Sequence, residues 1–180
     1  MYFVCSDIHG DAAALKLALE RFDQSGARYL LSLGDLLNHG PRNPLPEHYR
    51  PLECAEMLNR YRKQIIAVRG NCDSEVDQAL CEFPILSEYN QLLVGERRLF
   101  CCHGHTYKAD KLPPLSEGDV FASGHTHVPV AEKQQSLYLF NPGSISMPRQ
   151  QWAASYGLID EQGMRVCSLE DGSELLSCAF

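Results

Sequence analysis

Five short apolar runs, each ending in a knot of polar, metal-seeking side chains, constrain this chain more than any other feature. Residues 2–5, 29–33, 65–68, 99–102 and 120–122 have the length and apolar continuity of buried strands. At or just past their ends stand Asp7-Ile8-His9, Gly34-Asp35, Gly70-Asn71, His103-Gly104-His105 and Gly124-His125-Thr126-His127. In open α/β sheets, ligand sites collect beyond the carboxyl ends of the strands. Five strands sharing a sheet edge would therefore deliver these tips to one rim.

The segments between the runs predict how the strands are joined. After the first run, Leu15, Leu19 and Phe22 recur at helical spacing, with Asp11 as N-cap and Ser25-Gly26 as the stop. Residues 38–51 hold four prolines and two histidines and read as a loop. Pro51 opens a second helix, with Cys54, Met57, Leu58 and Tyr61 on one face. Beyond Pro84 helix signals are scarce and the chain reads as strands and turns. A β-α-β-α start and a β-rich second half predict an α/β (α+β) fold of two packed mixed sheets flanked by helices. With no repeat or linker, residues 1–180 are expected to form a single domain, for which 180 residues is an ordinary size.

Composition narrows the function classes. A net charge of −7 opposes an extended nucleic-acid-binding face, although a small anionic substrate remains compatible where bound cations dominate the local field. No apolar run approaches the roughly 18 residues of a membrane span. A first ligand candidate at Asp7 is expected to leave no room for a signal peptide. The eight cysteines read as cytosolic thiols, Cys5, Cys101 and Cys102 lying in strand runs where a free thiol packs as a small hydrophobe. These features predict a cytoplasmic protein.

Mixed aspartate, asparagine and histidine donors suit borderline divalent ions such as Mn²⁺, Fe²⁺, Co²⁺ or Zn²⁺. Only Cys72 puts sulfur among the ligand-like positions, which disfavours a structural four-cysteine zinc. Two ions about 3.5–4 Å apart can clamp an in-line displacement at phosphorus, one carboxylate bridging them and a metal-bound hydroxide attacking.

Taken as a set, Asp7-x-His9, Gly34-Asp35, Gly70-Asn71, His103 and Gly124-His125-x-His127 resemble the signature of the calcineurin-like metallophosphoesterases over residues 7 to about 148. The short length, Gly70-Asn71-Cys72-Asp73 and Asn141-Pro142-Gly143-Ser144 narrow the resemblance to the small bacterial YfcE-like phosphodiesterase branch. The resemblance implies a two-metal hydrolase using Mn²⁺, with Fe, Zn, Co or Ni as alternatives. It implies that Asp7, His9 and His127 hold one ion, Asn71, His103 and His125 the other, and Asp35 both.

Two positions depart from the broader superfamily. Cys72 stands where a histidine commonly protonates the leaving alkoxide; it is read either as an acid or as a small filler. His39 stands where protein phosphatases carry a phosphate-gripping arginine, with Arg42 nearby; a solvated loop histidine is the alternative. Around the site, His105 is read as supporting a metal ligand or as a surface residue, Asp73 as capping a helix over residues 74–81 in preference to hydrogen-bonding the site, and Asn141-Pro142-Gly143-Ser144 as a turn, although the resemblance hints that it walls the site. Trp152 and Tyr156 are read as packing residues or an oligomer contact. The function expected is hydrolysis of a small phosphodiester, with a phosphomonoesterase or nucleotide pyrophosphatase as the alternative. A protein-interaction scaffold of the same fold is the non-enzymatic alternative, and homo-oligomerisation is compatible with all three.

Overall fold

The computed structural model describes residues 1–108 and 110–180. Among these, the chain order is β1 (Tyr2–Cys5), α1 (Ala12–Ser25), β2 (Tyr29–Ser32), α2 (Pro51–Arg60), β3 (Ile65–Ala67), α3 (Glu75–Leu80), β4 (Tyr89–Val94) and β5 (Arg97–Cys102). There follow β6 (Val120–Ala122), β7 (Val130–Gln134), β8 (Leu137–Asn141), β9 (Ser155–Asp160), β10 (Gly163–Ser168) and β11 (Glu174–Ala179). The first sheet runs β11-β10-β9-β1-β2-β3, with β1, β2 and β3 parallel and β9 antiparallel to β1. The second runs β4-β5-β6-β8-β7, with β5, β6 and β8 parallel and antiparallel strands at both edges. The expected pair of mixed sheets is what forms.

Strand β1 shows why its sequence is apolar without interruption. Successive side chains alternate between faces, and both faces are covered. Phe3 and Cys5 pack with Leu15, Leu19 and Phe22 of α1 and Leu58 of α2, whereas Val4 joins Leu31, Leu99, Val120, Phe140 and Val166 between the sheets. Among the described residues, no helix packs on the outer face of the second sheet. Phe100, Cys102, Phe121 and Leu139 there pack with Tyr107, Leu112 and Leu115 of a long loop and with Val130.

Helix boundaries follow local chemistry. The Asp11 carboxylate accepts from the Ala14 N–H at 3.0 Å, Gly26 ends α1 in the left-handed region (φ 71°), and Pro51 sits in the first turn of α2. The expectation for Asp73 is overturned: Ser74 caps α3, its side chain and that of Asp77 forming a reciprocal capping box. The Asp73 carboxylate is buried and bonded elsewhere, as described below. Tyr156 is a packing residue, stacked on Phe3 with ring centroids 4.7 Å apart. All eight cysteines are free thiols, six of them buried. No helix among the described residues is long and apolar enough to cross a membrane.

Candidate metal centre

The parallel strands β1, β2 and β3 of one sheet and β5 and β6 of the other end at the same rim, and the predicted residues follow directly. Asp7, His9, Asp35, His125 and His127 all take left-handed backbone, with φ between 49° and 67°. That region is sparsely used by residues with a Cβ and clusters at functional sites. The turns are drawn together by backbone contact. A Cβ on Gly70 would collide with the Asp35 carboxylate and amide, and one on Gly124 with the Ser6 hydroxyl. Glycine before Asn71 and before His125 is thus the condition for close approach, which is the physical content of those two short motifs.

Within this frame the donor atoms converge. His127 Nε2 lies 3.2 Å from Asp7 Oδ1 and 3.4 Å from His9 Nε2. Asp35 Oδ2 lies 3.7 Å from His9 Nε2 and 3.4 Å from His103 Nε2, so one oxygen faces both halves of the cluster. On the far side, His103 Nε2 is 3.1 Å from Asn71 Oδ1 and 3.2 Å from His125 Nδ1. Metal–ligand bonds of about 2.0–2.2 Å set neighbouring donors roughly 3–3.5 Å apart, close to these spacings.

Hydrogen bonds behind the cluster fix which atoms look inward. Nδ1 of His9, His103 and His127 donates to the carbonyls of Asn38 (2.9 Å), Leu33 (2.7 Å) and Met147 (2.6 Å). A carbonyl only accepts, so each Nδ1 carries a proton and each Nε2 is turned to the centre. The facing Nε2 atoms of His9 and His127 are too close for both to be protonated. Asp7 is fully buried: its Oδ2 accepts from the Ser6 hydroxyl (2.6 Å) and the His125 N–H (3.0 Å), while its Oδ1 has no hydrogen-bond partner. A buried carboxylate oxygen without a donor is costly, and a cation among these lone pairs is the group that would satisfy it. The donor set therefore fits divalent ions.

Charge follows the same geometry. Burial pushes the Asp35 carboxyl up, but the His103 hydrogen bond and charge outweigh it and hold it at about 2. Asp7 is likewise held below the usual carboxylate range, burial being outweighed by His127 and His103. Burial depresses His103, yet the Asp35 hydrogen bond and the charges of Asp7 and Asp35 lift it to about 9. Without metal, the His103 imidazolium supplies the positive charge between two carboxylates. Burial and the Asp35 charge push the Cys72 thiol up to about 12.

A cleft of about 890 Å³ opens over the cluster, lined by Asp35, Asn71, Cys72, His105, His125 and His127 together with Asn38 and residues 40–43 of the following loop. Arg42 and Arg149 both line it, Arg149 Nη2 donating to Asn43 Oδ1 at 3.3 Å. His39 is not among the lining residues; its ring packs edge-on against Tyr49 at 5.3 Å and its Nδ1 is buried without a partner. His105 stands exposed at the rim, its ring 5.4 Å from that of His103, with no side-chain hydrogen bond to a predicted ligand among the described residues.

Two features the sequence left as the lesser alternative, and one it did not raise, shape the site. Asp73 Oδ2 accepts from the N–H groups of Asp35 (2.8 Å) and Gly70 (2.7 Å), and its Oδ1 from Leu36 (2.8 Å), tying two predicted ligand turns to one carboxylate. Burial lifts Asp73 to about 6 against the pull of these N–H groups, which leaves it an ionised acceptor at neutral pH. Asn141-Pro142-Gly143-Ser144 is more than a turn: the Ser144 hydroxyl donates to the Asp7 carbonyl (2.8 Å) and Asn141 Nδ2 to the Gly124 carbonyl (2.9 Å). Arg149 follows no motif, and only its position in the folded chain brings it to the cleft.

Fold and site define a metallophosphoesterase. The chain matches the calcineurin-like phosphoesterase superfamily domain over residues 1–164 and belongs to that family. It is 51% identical to phosphodiesterase YfcE of Escherichia coli K12 over 175 residues, 97% of this chain and 95% of that protein. The solved structure of that E. coli phosphoesterase superposes with a TM-score of 0.97 at 49% identity, covering 99% of this chain and 98% of that one. Vacuolar protein sorting 29 from Cryptosporidium parvum shares the fold (TM-score 0.66, 19% identity, 99% and 96% covered). The protein is a metal-dependent phosphoester hydrolase.

Proposed function

We propose that this protein hydrolyses phosphodiesters at a binuclear metal site, with Asp7, His9 and His127 serving one ion, Asn71, His103 and His125 the other, and Asp35 both. The observation that carries the reading is the unpartnered, buried Asp7 Oδ1 facing Nε2 of His127 at 3.2 Å and of His9 at 3.7 Å. The phosphodiesterase activity printed in the name of the E. coli relative supports the diester as substrate class. Manganese is the ion we propose, because two carboxylates, an asparagine and four imidazoles form a hard-to-borderline donor set. Bound ions of this kind supply Lewis-acid polarisation of the phosphoryl group and of a water nucleophile.

The residues of the chain do the remaining work. Backbone carbonyls orient three imidazoles, and the Asp73 carboxylate holds the Asp35 and Asn71 turns in register. Arg42 and Arg149 draw the anionic ester into the cleft, a role for which permanently charged guanidinium groups are suited. Cys72 lines the same cleft beside Asn71, and we assign it to the leaving-group side. We extend the proposal to residues 1–180 acting as one domain, since β11 lies beyond the matched residues and pairs within the first sheet. A cytoplasmic setting is supported by the free thiols.

A second reading, hydrolysis of phosphomonoesters or nucleotide pyrophosphates, is favoured by the same two arginines, because a dianionic phosphate gains more from them than a diester does. Assaying a monoester, a diester and a pyrophosphate side by side with Mn²⁺ separates the two. The binuclear proposal itself is tested by Asp35→Asn. It should lower the content of both ions and remove nearly all turnover, whereas His9→Ala or His125→Ala should each spare one ion. A fully active, metal-free Asp35→Asn protein overturns it.

A further inference from the structure

Beside the cleft, a second cavity of about 310 Å³ lies between the loop after β5 and the turn after β6. His125 lines both spaces, so the two meet at a predicted metal ligand. The floor of the second cavity is the outer face of the second sheet, where Phe121, Leu139 and Val130 lie side by side. Further along the sheet, this apolar face is roofed by Tyr107, Leu112 and Leu115. Next to His125 the roof stops, and the floor opens towards Lys108 at the cavity edge.

We propose that this cavity is a specificity pocket for a flat, uncharged ring carried by the ester arm that the enzyme does not expel. The inference rests on the diester reading above, because a diester, unlike a phosphomonoester, retains an organic arm after cleavage. Three observations carry it. The volume suits a ring and is far too small for a protein face. Its floor and wall offer apolar carbon from Phe121, Leu139 and Val130, while Asn141 Nδ2 is already occupied by the Gly124 carbonyl and Thr126 Oγ1. The shared His125 wall puts the pocket one side chain away from the phosphorus, the reach of a substituent bonded directly to an ester oxygen.

The pocket's chemistry favours aryl or base-like arms over alkyl, hydroxylated or charged ones. Substrates that keep one leaving group and change only the retained arm isolate it. For p-nitrophenyl esters of methyl, phenyl and naphthyl phosphate, kcat/KM with Mn²⁺ should favour phenyl over methyl by about 10- to 50-fold, the gain from burying one ring face. Val130→Phe fills the cavity from a partly exposed strand position outside the metal cluster. It should bring the phenyl-to-methyl ratio near one by lowering the phenyl ester's rate. Val130→Ala should instead move the preference towards naphthyl.

Binding of diphenyl phosphate, followed by titration calorimetry against dimethyl phosphate, reads the pocket without turnover. Loss of diphenyl phosphate affinity in Val130→Phe, at wild-type metal content, supports the pocket even if no diester is cleaved. Absence of diester cleavage beside that affinity loss would overturn the diester reading alone. Conversely, diester hydrolysis with phenyl-to-methyl ratios equal in wild type, Val130→Phe and Val130→Ala overturns the pocket and leaves the diester reading standing.

Discussion

Replacing Asp73 by asparagine removes one acceptor oxygen from a carboxylate that serves three backbone N–H groups. In the wild type, Oδ2 takes Asp35 and Gly70 while Oδ1 takes Leu36, at 2.7–2.8 Å. Asparagine can satisfy at most one of these two sets, and its amide then points a donor at a donor. The best placement keeps Asp35 and Gly70 and orphans Leu36. One charge-assisted bond is lost, two are weakened to neutral strength, and a buried N–H is left unpaired, together about 2–4 kcal/mol. In a domain of this size each kilocalorie moves the melting temperature by about 2–4 °C, so a fall of about 5–15 °C is expected for the metal-free protein. The functional effect is separate. Asp35 and Asn71 are positioned by this carboxylate, and a shift of about 1 Å between catalytic groups can cost about 10²-fold in rate. Thermal unfolding without metal, Mn²⁺ affinity, and kcat at saturating Mn²⁺ measure the three consequences independently. A variant melting within about 2 °C of wild type, with unchanged Mn²⁺ affinity and kcat, refutes the clamp.

Metal uptake should release close to one proton from His103 at pH 7.5, because its metal-free pKa near 9 exceeds the ordinary 6.5. The sign follows from that direction: between about pH 6.5 and 9 the proton competes with the ion, so affinity rises with pH while the metal-free fold loses the imidazolium's contribution. Calorimetry in buffers of different ionisation heat reads the proton, and zero release contradicts the assignment. Cys72→His should narrow the rate gap between alkyl and aryl leaving groups by up to about 10²-fold, an acid having replaced a thiol that sits near 12 without metal. An unchanged leaving-group slope with metals bound would make Cys72 only a neighbour. His39→Arg should leave the pH profile of kcat/KM nearly unchanged, since the ring packs on Tyr49 and not in the cleft. Arg149→Ala should raise KM about 10-fold with kcat little altered; the reverse pattern would place Arg149 outside substrate binding.

Apolar continuity made the central strands legible. The runs at residues 2–5 and 120–122 coincide with β1 and β6, because strands covered on both faces carry no polar interruption. The runs at 29–33 and 65–68 overshoot by one residue, since Leu33 and Val68 are buried after the chain has begun to leave the sheet. The individual bounds of β7 and β11 were not legible, because their half-exposed, polar-rich patterns resemble those of loops. The predicted ligands converge as expected because each follows a strand end that topology sends to one rim. Asp73 misled because an acidic residue just before a helix is equally apt as a cap, and only the fold shows that Asp35 and Gly70 claim its oxygens. His39 was open for a similar reason: its neighbour Tyr49 is ten residues away, across a loop with no periodicity to read.

The left-handed turns at Asp7, His9, Asp35, His125 and His127 bear on which substitutions this rim can accept. Each turn costs about 1–2 kcal/mol with a bulky side chain and little with glycine or asparagine. After glycine and asparagine, aspartate and histidine are among the residues this backbone tolerates best, so the chemistry and the turns ask for compatible side chains. Drift to glycine or asparagine at those five positions would relax the backbone, whereas drift to a β-branched residue would strain it, so the turns limit which substitutions can follow a loss of the metal site.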